Sequence, residues 1–187
     1  MVANAGGVNP LACKPALEAA AVKAGVELKV AVVLGDDLIP SRKEFADLVD
    51  WETGAPAPAN LLSLNACLGA ILIARALAAS ADIVITGRCV DSAVVLVPLM
   101  HEFGWQPTDY DLLAAGSVAG HIVECGAQFN VGNFTDWEQV APGSADMGFP
   151  IVECAADGSF VITKPTAGGY RAPAPQAGSA AAVFDGE

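Results

Sequence analysis

The sequence predicts an α/β fold: an open, mostly parallel sheet flanked by helices, with a β-hairpin near the C-terminus. Three observations carry that reading. Leu28 to Leu34 (LKVAVVL) and Asp82 to Thr86 (DIVIT) are continuous β-branched runs, the pattern of strands buried on both faces of a parallel sheet. Each run ends in a glycine turn, Gly35-Asp36-Asp37 and Gly87-Arg88. Helical patterns fill the intervals, and the order β-α-β-α-α-β-α fits right-handed crossovers in one sheet, Rossmann-like in outline.

Val2-Ala3 reads as the tail of an opening strand. So short a strand predicts that the chain is an N-terminally truncated piece of a longer protein. Pro10 to Ala24 is a helical pattern stopped by Gly25. Pro15 inside it moves the expected start to Lys14, with Pro10 to Cys13 as an irregular lead-in. Ser41 to Asp50 reads as a short polar helix, with Ser41 and Glu44 as a capping box. Thr53 to Pro58 is a loop, and Asn60 to Ser80 a long apolar helix on the sheet. Asp91 to Phe103 is a third helical crossover.

Thr108 to Gly126 forms another helix pattern, with Thr108 at the cap and Asp111 three residues on. Phe129 to Pro150 is a long loop of glycine, asparagine and aromatics, read either as a lid or as an ordered crossover with Phe134 and Trp137 plugging the core. Pro150 to Ala155 and Ser159 to Thr163 flank Asp157-Gly158, a hairpin signal because that pair supplies positive φ angles. Residues 1–166 are thus expected to form the α/β domain. Residues 167–187, rich in alanine, glycine and proline, are expected to be a disordered tail.

Composition excludes several classes. Hydrophobic residues make up 53% of the 187 and charged residues 16%, too apolar for a disordered chain. The net charge of −12 repels phosphate backbones and argues against nucleic acid. The longest apolar run, Ala66 to Ala79, is interrupted by Arg75 and falls short of the roughly 18 residues a membrane span needs. Cys13, Cys67, Cys89, Cys125 and Cys154 are odd in number and form no CxxC, so neither a disulfide framework nor a structural zinc site is expected. The expected compartment is the reducing cytoplasm.

Three loops leave strand carboxyl ends: Asn4-Ala5-Gly6-Gly7-Val8-Asn9, Gly35-Asp36-Asp37 and Thr86-Gly87-Arg88-Cys89-Val90-Asp91. In an open parallel sheet these ends share one rim, where ligands bind. Gly6 and Gly7 permit close backbone approach by an anion, and Arg88 offers a forked donor. A purely turn-shaping role explains the glycine pair equally well. The spacing is neither GxGxxG nor a P-loop. Asp36 and Asp37 can hold a metal, contact sugar or other hydroxyls, act as a base or cap loop amides, but two adjacent carboxylates without a third ligand predict no metal. Lys164 is either a phosphate contact or surface decoration.

Of the two histidines, His101 suits the C-terminal end of its helix. His121 shares a polar stripe with Ser117, Glu124 and Gln128, opposite a face of Leu112, Ala115, Ala119, Ile122 and Gly126. Cys125 follows four residues after His121. A histidine beside a hydroxyl, a thiol and a carboxylate is a general-base setting, although a solvated helix face has the same pattern. Gly116, Gly120 and Gly126 weaken that helix and imply close approach of something to its backbone.

These segments carry a resemblance. Asn4-Ala5-Gly6-Gly7-Val8-Asn9-Pro10, Gly35-Asp36-Asp37, Asp82 to Arg88, His101 to Trp105, Ala119 to Gln128, Gly132 to Trp137, Gly148 to Ile151 and Ile162 to Pro165 occur in the order seen in the acyclic terpene utilisation (AtuA) family. The chain resembles that family over about residues 2 to 169 and lacks its usual glycine-rich N-terminal portion. The resemblance implies a role near acyl-CoA carboxylation in the breakdown of acyclic terpenes, and it supplies no catalytic residues.

Three readings follow. In the first, a branched acyl-CoA or related acid binds at Asn4, Gly6, Gly7, Asn9, Asp36, Asp37, Arg88, Asp91 and Asn133, with His121 and Glu124 as the acid–base pair. In the second, an esterase-like hydrolase uses Ser117 or Cys125 with His121, without a GxSxG elbow. In the third, the chain is a non-catalytic partner of an acyl-CoA carboxylase. No cofactor is expected. The partners to expect are a small acyl substrate and either a second copy of this chain or the carboxylase, with no nucleic acid and no membrane.

Overall fold

A computed structural model describes residues 1–6, 9–58, 60–130, 132 and 135–165. The expected tail at 167–187, together with Gly7, Asn133 and Phe134, lies outside the described residues. The chain divides into two compact units, Met1–Val90 and Asp91–Glu187.

In the first unit the elements run β1 (Val2–Ala3), α1 (Pro10–Lys23), β2 (Val30–Val33), α2 (Ala70–Ala78) and β3 (Ile83–Thr86). The three strands form a parallel sheet in the order β1-β3-β2, with Val2 beside Val84, Val30 beside Ile83 and Val33 beside Thr86. Central β3 is the most buried: Val84 is 0% and Ile85 3% exposed. Its unbroken β-branched sequence reflects that two-sided burial. Both α1 and α2 pack against β2 and β3, and Ile73 of α2 is fully buried.

The helix over 10–23 starts at Pro10, not at Lys14. The Asn9 side-chain oxygen accepts from the Ala12 amide at 3.0 Å, and Pro10 at the first helical position has no amide to satisfy. That cap outweighs the interruption at Pro15. Lys14 ties the helix to the sheet by donating from Nζ to the Val30 carbonyl at 2.5 Å.

Two expected helices differ. Ser41 to Asp50 is instead a 3₁₀ helix over Ile39–Phe45, entered through Pro40, so Ser41 is inside it and caps nothing. The long apolar helix is confined to Ala70–Ala78. Residues 60–69 send their backbone bonds sideways: Ala66 N to Asp36 O at 2.8 Å, Leu68 N to Arg88 O at 3.1 Å, while Leu64 O accepts from Leu38 N at 2.8 Å. With donors and acceptors committed to the strand-end loops, the segment cannot close helical turns.

In the second unit α3 (Ala93–Phe103) packs on α4 (Tyr110–Cys125), followed by a short α5 (Trp137–Val140) and the antiparallel hairpin β4 (Ile151–Cys154) and β5 (Phe160–Thr163). The core here is Val97, Met100, Trp105, Ala119, Ile122 and Val140. Trp137 is 61% exposed and plugs no core. Asp109, not Thr108, stands at the cap of α4, and its carboxylate accepts from the Gln106 amide at 2.7 Å. Trp105 anchors the hairpin turn, donating from Nε1 to the Ala156 carbonyl at 2.9 Å.

In that turn Asp157 accepts from the Ser159 hydroxyl at 2.7 Å and the Ser159 amide at 3.0 Å. The hydroxyl bond first, then the amide bond, holds the Asp157 carboxyl below its usual pKa. A depressed folded-state value means the stabilisation is complete above the usual carboxylate range and is lost as pH falls through the lowered value. An NMR titration is expected to show the Asp157 midpoint rise in Ser159→Ala. An unmoved midpoint contradicts the assignment.

Candidate functional site

The carboxyl ends of β1, β2 and β3 open onto a cavity of about 820 Å³ in the first unit. Asn4 and Asn9 line it from the β1–α1 loop, Gly35, Asp36 and Asp37 from the loop after β2, and Gly87 and Arg88 from the loop after β3. Parallel strands in register end at one level, so their exit loops meet there. Gly6 is buried, and a Cβ on it would come within 2.5 Å of Ile85 and 2.8 Å of Pro10. Close packing under the loop therefore demands glycine at this position.

Asp36 organises the rim. It is 4% exposed, and its Oδ2 accepts from the Arg88 amide at 2.7 Å and from Asn65 Nδ2 at 3.1 Å. The carboxylate lies where a side chain on residue 87 would be, so Gly87 leaves room for it. Asp37 Oδ1 accepts from the Ile39 amide at 3.0 Å. Both carboxylates are thus engaged in bracing loop amides.

The 60–69 segment contributes Leu62, Ser63 and Asn65 to the lining, while Pro10, Leu11, Leu34 and Ile39 add apolar wall. None of these was among the candidate site residues. The Gly69-Ala70 helix start and the run Ser63-Leu64-Asn65 before it were the available signals. Leu62 and Leu11, 102% and 61% exposed, present hydrocarbon to solvent beside the polar rim.

The second unit gathers a different set. On α4, His121 and Glu124 are exposed and Ile122 and Ala119 buried, as the polar stripe implies. Cys125 Sγ lies 3.6 Å from His121 Nε2, and its thiol points at Glu124 Oε2, also at 3.6 Å. Burial raises the Cys125 pKa, as do the Glu124 hydrogen bond and the negative charges of Glu124 and Asp91. The Ser117 hydroxyl donates back to the Leu113 carbonyl at 2.7 Å. Asp91, read from sequence with the strand-end loops, belongs to this unit and acts on the Cys125 thiol.

The close approach implied by the α4 glycines comes from the protein itself. Gly116 faces Leu96, Leu99 and Trp105, Gly120 faces the backbone of Ser92, and Gly126 faces the Phe149 ring.

Comparison with known proteins adds one finding. The family model described as acyclic terpene utilisation family protein AtuA matches residues 1–171. No curated protein and no solved structure matches the chain.

Proposed function

The chain belongs to the acyclic terpene utilisation family, and from that premise we propose that the strand-end cavity of the first unit binds a small anionic acyl ligand. One observation carries the reading: all three strand-end loops line a single cavity of about 820 Å³ with mixed walls. That volume lies within the roughly 300–1,000 Å³ range of small-molecule sites. Arg88 and the amides of Asn4 and Asn9 suit a carboxylate or thioester head. Leu11, Leu34, Ile39 and Leu62 suit a short branched hydrocarbon, the part that an acyclic terpene breakdown product would supply.

Branched and linear short-chain acids and their CoA thioesters, tested as a panel, are expected to raise the melting temperature of the chain. Ligand at about 100 times its Kd adds about 2.7 kcal/mol to the folded state. Arg88→Ala is expected to abolish that shift, because the forked cation contacts the head group. No shift with any member of the panel overturns the reading.

The hydrolase alternative draws less support. A nucleophilic cysteine works as thiolate, and the surroundings of Cys125 favour the protonated thiol. Ser117 has its hydroxyl turned to its own helix.

A further inference from the structure

The second unit carries a cluster that acyl binding does not use. His121, Glu124 and Cys125 stand at i, i+3 and i+4 on α4, so one face presents an imidazole, a carboxylate and a thiol together. One donor atom from each lies within 4.8 Å of the other two. The sulfur is 3.6 Å from His121 Nε2 and 3.6 Å from Glu124 Oε2. Zinc bonds of about 2.0–2.3 Å in a tetrahedral arrangement set sulfur and its neighbouring ligand atoms about 3.6 Å apart. Two of the three separations are therefore already those a tetrahedral ion requires.

We propose that His121, Glu124 and Cys125 form a binding site for one borderline-soft divalent transition-metal ion, with zinc as the type. The donor set selects the class. Nitrogen, sulfur and oxygen together suit zinc and its cobalt surrogate, whereas magnesium and calcium take oxygen shells. Three protein ligands on an exposed helix face leave the fourth position to water or an incoming ligand.

A second element supplies negative charge to the same place. The Ser92 backbone rests against α4 at Gly120, one residue before His121, because glycine leaves no side chain between them. The preceding residue, Asp91, is thereby brought near enough for its charge to act on the Cys125 sulfur. A cation bound there is stabilised by both Glu124 and Asp91. The inference goes beyond the acyl-binding reading and stands independently of it.

The test uses the full chain, reduced and stripped of metal, with Co²⁺ as the probe. One equivalent is expected to bind with thiolate-to-cobalt charge-transfer absorption. Cys125→Ser is expected to abolish that band, while Cys67→Ser, which removes an exposed thiol elsewhere, keeps it. His121→Ala is expected to weaken Co²⁺ affinity about a hundredfold, since even outer-shell partners are worth about ten- to a hundredfold. A band that persists in Cys125→Ser, or wild-type chain that binds no cobalt, overturns the proposal.

A measurement on unmutated protein covers the case in which a variant does not fold. Zn²⁺ is expected to slow alkylation of Cys125 by iodoacetamide and leave Cys67 unaffected, as read by peptide mapping. Equal Cys125 rates with and without Zn²⁺ overturn the site.

Discussion

Asp36→Ala is expected to destabilise the chain by about 3 kcal/mol and to abolish acyl binding with it. Hydrogen bonds to a charged acceptor contribute about 1.5–3 kcal/mol each, and a donor stranded by loss of its partner costs more when it is buried. Asp36 is 4% exposed and receives two donors, the Arg88 amide and Asn65 Nδ2. Those two donors belong to the loop after β3 and to the 60–69 segment, so the carboxylate joins two of the walls that make the cavity. Alanine removes the acceptor and opens a void against Gly87. Water entering that void can satisfy part of the stranded pair, which is why the expected loss is nearer one strong bond than two.

Asp36→Asn keeps the shape and one carbonyl acceptor, and is expected to lose about half as much. Gly87→Ala attacks the same contact from the other side, because the new methyl occupies the position of the carboxylate. The double variant Asp36→Ala/Gly87→Ala is therefore expected to lose less than the sum of the two, as contacting residues do. Urea unfolding of the four variants and the unsubstituted chain reads all of these. A loss below about 0.5 kcal/mol for Asp36→Ala, the level of an ordinary surface change, contradicts the bracing role.

What was legible in the residues follows from which forces act locally. The runs LKVAVVL and DIVIT announce strands because only two-sided burial favours unbroken β-branched sequence, and β2 and β3 sit inside them. Asp157-Gly158 announces a hairpin because its chemistry is self-contained. The polar stripe on α4 is equally local, being set by helical period alone. Residues 60–69 read as helix because Leu61, Leu62 and Leu64 look like a helix face, yet Leu62 is fully exposed and the backbone there bonds to loops distant in sequence.

Hydrophobicity reports burial only on average, and a leucine lining an open cavity escapes it. The cap of α4 failed for a smaller reason. Thr108 and Asp109 are both competent residue types, and the one at the cap is Asp109, whose carboxylate accepts from the Gln106 amide. Asp91 was placed by sequence neighbourhood with Arg88, whereas the packing of Ser92 on Gly120 gives it to the His121 cluster.

Gly120→Ala puts that packing to the sharpest test, because two known effects oppose each other. Alanine is better than glycine in a helix interior by about 1 kcal/mol, so an isolated α4 would gain from the change. In the folded chain the added Cβ would lie 2.6 Å from the Ser92 carbonyl oxygen and 3.0 Å from Ser92 Cα and Cβ. Oxygen and Cα are backbone and cannot rotate away, so the start of α3 and the body of α4 must separate. Overpacking of this kind costs about 1–3 kcal/mol, and a backbone obstacle puts the cost at the upper end. The net expectation is destabilisation by about 2 kcal/mol, with Gly120→Val worse.

Gly116→Ala, one turn earlier, supplies the contrast. Its Cβ would meet side-chain atoms, Leu96 Cδ1 at 2.7 Å and the Trp105 ring at 2.9 Å; the leucine tip can turn aside, whereas the ring is 6% exposed and tied to the Ala156 carbonyl. Moving the ring costs more than the propensity gain returns, so a loss of about 1 kcal/mol, half that at Gly120, is expected. Denaturant unfolding of both variants separates the explanations: similar effects at 116 and 120 would mean that helix propensity, and not the Ser92 contact, governs this face. Separation at Gly120 also carries Asp91 away from Cys125. Cobalt affinity is therefore expected to fall in Gly120→Val and hold in Gly116→Ala, although neither residue offers the ion a ligand.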